Sequence, residues 1–225
     1  MGLSSKKGKQ INMQQYFFSR KNKLAYLIGV FLGDGCIYFG KYAYQFSVTS
    51  EDYFLPFLCS EICGELFNKY GTIKCIYKKN GEVSYYQLVI CSKRICKILK
   101  RLTQNREQIP YIKDKESLKY LVVGLMDSDG WITKINAGDG YCRYRVGFKA
   151  TNDFVADLHD IFKNSLNILC GNLRTGIDKK RGKKKYFTFC INTKSYYNNL
   201  FFFIGRKQKI LMEYYKNKER KTNNG

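Results

Sequence analysis

Asp34 and Asp129 occupy the same place in two similar segments, "LIGVFLGDG" at 27–35 and "VVGLMDSDG" at 122–130. Each ends a mostly apolar run and precedes a glycine. The runs are apolar around most of a helical circumference, which predicts two buried helices. The carboxylates then fall at helix C-termini, where the macrodipole is negative and carbonyl oxygens lack partners. An anion is badly placed there, and two brought together are worse unless a cation binds. Two carboxylates with helix-end carbonyls make an oxygen-rich pocket suited to Mg²⁺. A single Asp-Gly reads as a turn. Its duplication, in a chain of net charge +22, favours the metal-site reading.

That charge comes from 40 Lys and Arg against 18 Asp and Glu. Release of condensed counterions makes such a surface a binder of polyanions. A hydrophobic content of 44% excludes a disordered basic tail. Nine cysteines without a CxxC pair, and His159 as the one histidine, leave few ligands for zinc. They read as reduced, mostly buried thiols of an intracellular protein in a reducing compartment. Apolar runs such as 24–32 fall well short of the ~20 residues that span a membrane, so no membrane partner is expected.

The elements that position the acids repeat with them. Gly35 matches Gly130 at an offset of 95, Gly71 matches Gly171 at 100, and Lys93 matches Lys194 at 101. The offset grows where the second copy carries the longer turn "INAGDG" in place of "FGKYA". The chain therefore reads as two copies of one unit of roughly 100 residues. Each unit is αββαββα: a motif helix (23–33; 117–128), a hairpin (36–40 with 43–50; 131–135 with 141–150) and an apolar-spaced helix. A second hairpin (72–78 with 84–91; 172–178 with 186–192) and a closing helix ending near Leu102 or Ile204 complete it. The fold class is α+β, a pseudo-twofold repeat with two antiparallel sheet saddles and a central pair of motif helices. The expected divisions are a basic arm over 1–20, a first half over 21–103, a linker over 104–116, a second half over 117–216 and a frayed tail over 217–225. Gly29 and Gly124 lie mid-helix, where each costs ~1 kcal/mol against alanine; close backbone approach between the motif helices would compensate. Gly35 and Gly130 are expected as left-handed helix stops.

These segments resemble the LAGLIDADG homing endonucleases: two motifs, each opening an αββαββ half, in a repeat covering almost the whole chain. The resemblance implies a monomeric, single-chain DNA endonuclease whose motif helices meet at the interface and whose sheets lie in the major groove. It implies that Asp34 and Asp129 bind divalent metal beside the scissile phosphates, with the carbonyls of Gly33 and Ser128 as further ligands. Mg²⁺ is the implied cofactor, with Mn²⁺ substituting and Ca²⁺ permitting binding without cleavage. Leu32 stands where the family name shows an earlier Asp, a position that is not the ligand. A basic residue is expected near each site: Lys207 in "RKQK" for one half, and Arg106 for the other, with Lys100 and Arg101 as alternatives. The strand-end position often filled by Gln in the family holds Thr49 or Ser50 in one half and Lys149 or Ala150 in the other.

Strand alternation assigns the sheet faces. Phe46 and Val48 face inward, leaving Gln45, Ser47 and Thr49 outward. Val146 and Phe148 face inward, leaving Arg145 and Lys149 outward with Arg143 on the same face. Lys74, Gln87, Arg174 and Thr188 are outward in the second hairpins, and the turn 178–185, with Lys183, reads as a phosphate grip. A site-specific, Mg²⁺-dependent double-strand DNA endonuclease encoded by a mobile intron is the leading reading. An RNA-binding maturase of its own intron and a non-catalytic DNA-binding regulator are the alternatives. An intein is disfavoured, lacking an N-terminal Cys or Ser and a C-terminal His-Asn. Abundant Lys, Asn, Ile, Tyr and Phe with two Pro point to an AT-rich genome, such as an organelle (chloroplast or mitochondrion) or phage, including the cytoplasm of an infected bacterium.

Overall fold

A computed structural model of the chain describes residues 19–41, 43–104, 106–136, 142–178 and 184–223. The first motif helix, α1 (Arg20–Gly33), starts where the Ser19 hydroxyl accepts the amide of Asn22 at 3.1 Å. The second, α4 (Lys115–Ser128), starts where the Asp114 carboxylate accepts the amide of Ser117 at 3.0 Å. From Ala25 to Gly33 and from Leu118 to Asp127 nearly every residue is buried, as all-round apolar helices require.

Between the two lies one half: β1 (Gly35–Phe39), β2 (Tyr44–Ser50), α2 (Phe54–Phe67), β3 (Thr72–Tyr77), β4 (Val83–Cys91) and α3 (Lys93–Thr103). After α4 come β5 (Gly130–Asn136), β6 (Cys142–Ala150), α5 (Val155–Asp160) with a π-helical turn over Ile161–Ser165, β7 (Arg174–Asp178), β8 (Lys184–Ile191), α6 (Thr193–Asn199) and α7 (Gly205–Asn223). Each half forms a four-stranded antiparallel sheet, ordered β1-β2-β4-β3 and β5-β6-β8-β7. The registers carry the internal repeat: Val48 opposite Leu88 recurs as Phe148 opposite Phe189, and Lys74 opposite Gln87 as Arg174 opposite Thr188. The inward faces, Phe46, Val48, Leu88 and Ile90 in one sheet and Val146, Phe148, Phe189 and Ile191 in the other, are buried in the core.

The helices α1 and α4 touch backbone to backbone. A methyl built on Gly29 would lie 2.1 Å from the carbonyl oxygen of Leu121, and one on Gly124 2.3 Å from that of Tyr26. Equivalent residues meet along this contact: the Ser117 hydroxyl donates to Asn22 Oδ1 at 2.9 Å, Gly29 faces Gly124, and Gly33 abuts Ser128. A pseudo-twofold axis passes between them.

Several expectations differ from the structure. The cysteines are not mostly buried: Cys36, Cys75, Cys91, Cys142 and Cys190 are exposed, most of them on strands with an open face. Gly35 and Gly130 are not left-handed stops, since Gly81 is the one glycine with positive φ among the described residues. The chain instead turns at the aspartates, Asp34 at φ −92°, ψ 2° and Asp129 at φ −90°, ψ −11°. Each glycine then begins a strand folded so tightly over the helix end that a Cβ would strike the backbone of Phe31 or Met126. Of the expected arm, Ser19 and Arg20 cap and begin α1, while 1–18 lies outside the described residues. The expected linker ends early, because Asp114 caps α4. The second closing helix stops at Asn199, and the expected tail from 217 is helical to Asn223 as the end of α7, an element the first half lacks. No described helix is long and apolar enough to cross a membrane.

Candidate functional site

Asp34 and Asp129 are the C-caps of α1 and α4, half-buried where the two helix ends meet. A methyl on Gly33 would lie 2.0 Å from Ser128 Oγ and 3.3 Å from Asp129 Oδ2, so the axis has room for one side chain at that pair. The Ser128 hydroxyl fills it and donates back to the carbonyls of Gly124 and Leu125 at 3.0 and 2.9 Å. Burial, then the neighbouring charge of Asp129, pushes the Asp34 carboxyl up to about 6, against the pull of Lys207 and Arg106.

Both basic candidates reach these helix ends. Lys207, in the first turn of α7, is 7% exposed and donates to the carbonyls of Met126, Asp127 and Gly130 at 2.8, 2.6 and 2.7 Å, and to that of Ser128 at 3.4 Å. It thereby satisfies the orphan carbonyls of α4 and opposes the negative dipole end. Burial lowers its pKa to about 8, which leaves it mostly protonated at neutral pH. Arg106 does the same for α1, donating from its guanidinium to Leu32 O (2.9 and 3.2 Å) and to Gly33 O. Its backbone sits at φ 75°, a region that strains a non-glycine residue. Lys100 instead lies over the Phe39 ring at 4.7 Å, and Arg101 is exposed on α3.

Two clefts open from the helix ends, of about 420 and 440 Å³. The first holds Asp34 and Ser128 with Thr49 and Ser50; the second holds Asp129 and Gly33 with Arg106, Lys149 and Trp131. Each acid thus shares its cleft with the last helical residue of the opposite half, a cross-pairing that spacing along the chain does not reveal. The strand-end residues Thr49 and Lys149 line the clefts, whereas Gln45, Ser47, Lys74, Gln87, Arg143, Arg145, Arg174 and Thr188 belong to the outward sheet faces. The Thr188 hydroxyl donates to Phe148 O at 2.8 Å, so it serves the sheet as a donor. Lys183 lies outside the described residues.

Solved structures share this architecture. No family model and no curated protein sequence matches the chain. I-DmoI in complex with DNA and Ca aligns with a TM-score of 0.59 at 16% identity, covering 86% of this chain and 98% of that one. Full-length DUF199/WhiA from Thermatoga maritima aligns with a TM-score of 0.58 at 14% identity, covering 92% of this chain and 66% of that one. The N-terminal LAGLIDADG domain of DUF199/WhiA gives 0.54 at 15% identity, over 80% and 79%. The chain has the LAGLIDADG fold.

In LAGLIDADG terms α1 and α4 are the motif helices, and they differ at one polar position. Asp127, equivalent to Leu32, is 3% exposed and accepts from the Tyr26 hydroxyl at 2.9 Å and from the amides of Phe203 and Ile204 at 3.1 and 3.3 Å. Burial pushes its pKa up to about 7, against the nearby Lys207 and the three donors. These bonds fix the entry to α7 and hence the place of Lys207. The sequence carried a signal for this pairing: Leu32 and Leu121 stand where Asp127 and Tyr26 stand in the other half. Lys207→Met should strip the α4 carbonyls of their donor and lower stability by about 2 kcal/mol, read from denaturant melts. An unchanged midpoint would show that the ammonium does not tie α7 to α4.

Proposed function

We propose that the protein is a site-specific double-strand DNA endonuclease, encoded by a mobile intron and working in a reducing compartment. The observation that carries the reading is the pair of acids at abutting helix ends, each sharing a cleft with the last helical residue of the opposite half, with a cation capping each helix end. The homing endonuclease I-DmoI, similar in fold, has been solved in complex with DNA and with Mn or Ca, which supports the same ligands here.

The residues present fit a divalent cation. Among the described residues no group of three or more His, Cys, Asp and Glu forms; the donors would be the two carboxylates with the Gly33 and Ser128 carbonyls, which also accept from Arg106 and Lys207, a hard oxygen set suited to Mg²⁺. Burial first, and then the charge of Asp129, raises the Asp34 pKa, so a cation that favours the ionised form would bind where both acids meet. When bound, such ions polarise the phosphate and lower the pKa of water. The chain's own groups do the rest: Lys207 and Arg106 hold the helix ends and set positive charge beside Asp34, and Lys149 adds a cation beside Asp129. The outward sheet faces bind the flanking duplex in its major groove.

Incubation with the intron-free allele of the host gene tests this. Cleavage of both strands is expected with Mg²⁺ or Mn²⁺, and binding without cleavage in Ca²⁺. Cutting that persists unchanged in EDTA rules out the metal mechanism. The likeness to DUF199/WhiA favours a second reading, a DNA-binding regulator that does not cut; specific binding with intact strands under every metal would select it.

A further inference from the structure

The two outward sheet faces, equivalent by the repeat, carry opposite chemistry. In the strands of the first sheet, Lys74 is the single Lys or Arg. Its outward face is otherwise amide, hydroxyl and apolar: Gln45, Thr49, Gln87, Val89 and Tyr38. The second sheet presents Arg143, Arg145, Lys149, Arg174 and Lys184 outward, by the same alternation. Its one strand acid, Asp178, lies at the far end of the β7–β8 hairpin in register with Lys184. On β2 and β6 two outward positions differ in charge, whereas on β4 and β8 the equivalent Gln87 and Thr188 are both neutral. Gln45 is matched by Arg145 and Thr49 by Lys149, while Lys74 and Arg174 match at the edge.

Each residue type has its own partner in the major groove. Arginine donates in bidentate fashion to guanine O6 and N7, glutamine pairs with adenine N6 and N7, and apolar or threonine side chains meet the thymine methyl. Resting on the proposed DNA-binding function, we infer that the target duplex is chemically lopsided: the half-site under the β5–β8 sheet carries G·C pairs read by arginine, and the half-site under the β1–β4 sheet is A·T-rich and read by amides and methyl contacts. Arg143 and Arg145 are exposed on the central strand β6, placed to reach base edges. In the first sheet the equivalent strand β2 offers no guanidinium.

Selection of binding sites from a pool of randomised duplexes in EDTA, where cutting cannot bias recovery, tests the inference. Recovered sites should concentrate G·C pairs in one half and A·T pairs in the other. Arg145→Ala, an exposed and therefore fold-neutral change, should relax guanine preference ~10- to 100-fold in the G·C half alone. Gln45→Arg should add a guanine preference to the opposite half. Equal G·C content in both halves, or relaxation by Arg145→Ala in the A·T half, overturns the assignment while leaving DNA binding intact. Failure to recover any sequence, even at low salt, removes the DNA-binding reading and this inference together.

Discussion

Asp34→Asn and Asp129→Asn should each slow double-strand cleavage by about 10³-fold or more while leaving specific binding nearly unchanged. Removing one anionic ligand forfeits several kcal/mol of metal-assisted stabilisation, and ~4 kcal/mol corresponds to about three decades in rate. Asparagine keeps the size and the cap, so the helix ends stay in place. Stability distinguishes this role from a structural one. The Asp34 carboxyl titrates at about 6 in the fold against 3.8 as its reference value, so ionising it opposes folding. That penalty is fully present above pH ~6 and vanishes below pH ~4, where the acid is protonated in both states. In the absence of metal, Asp34→Asn should therefore raise stability at pH 7 by about 1 to 3 kcal/mol, the gain fading as pH falls through that window. Thermal melts from about pH 4 to about pH 8, across the titration range, read the sign directly. A variant that melts lower and still cuts would make Asp34 a structural cap.

Gly29→Ala should destabilise the protein by about 3 kcal/mol or more, lowering its melting temperature by about 6 to 12 °C. In a solvent-exposed helix the same change stabilises by ~1 kcal/mol, so the sign alone tests the packing. Here the added methyl would sit 2.1 Å from the Leu121 carbonyl oxygen and 2.9 Å from the Leu125 amide nitrogen, backbone atoms that cannot swing aside. Relief requires α1 and α4 to separate, which also moves Asp34 relative to Ser128 and Asp129 relative to Gly33. Cleavage should therefore fall below wild type even at temperatures where the variant remains folded. A melt equal to or above wild type would mean the helices are not in backbone contact.

Much of the architecture was legible because repetition doubles every signal. The offsets from Gly35 to Lys194 reappear as strand registers, and the unexplained mid-helix glycines mark the closest contact in the fold. Local rules failed where tertiary packing overrode them. Asp-Gly at a helix end reads as a left-handed stop, yet the glycines are required by a strand pressed over the preceding turn. The helix α7 is not legible in the sequence, because its C-terminal part is strongly polar and its start depends on Asp127 accepting the Phe203 and Ile204 amides from a distant helix. The site was half readable. Acids and cations could be named from type and spacing, but the pairing of Asp34 with Ser128 and of Asp129 with Gly33 exists only once two helices have met.

The axial pairs also bear on how the two halves can be exchanged. A duplicated unit begins with identical residues facing each other, but here the partners have diverged into complements. Asn22 accepts from Ser117, and Gly33 makes room for the side chain of Ser128. Two copies of the second half would set Ser128 against its own twin where one side chain fits, and two copies of the first would leave that space empty. Tyr26 and Asp127 would likewise lose each other in either symmetric pairing. Chimeras that recombine halves from different chains should keep this packing only when the axial residues travel as matched sets, because each half now supplies what the other lacks at the seam.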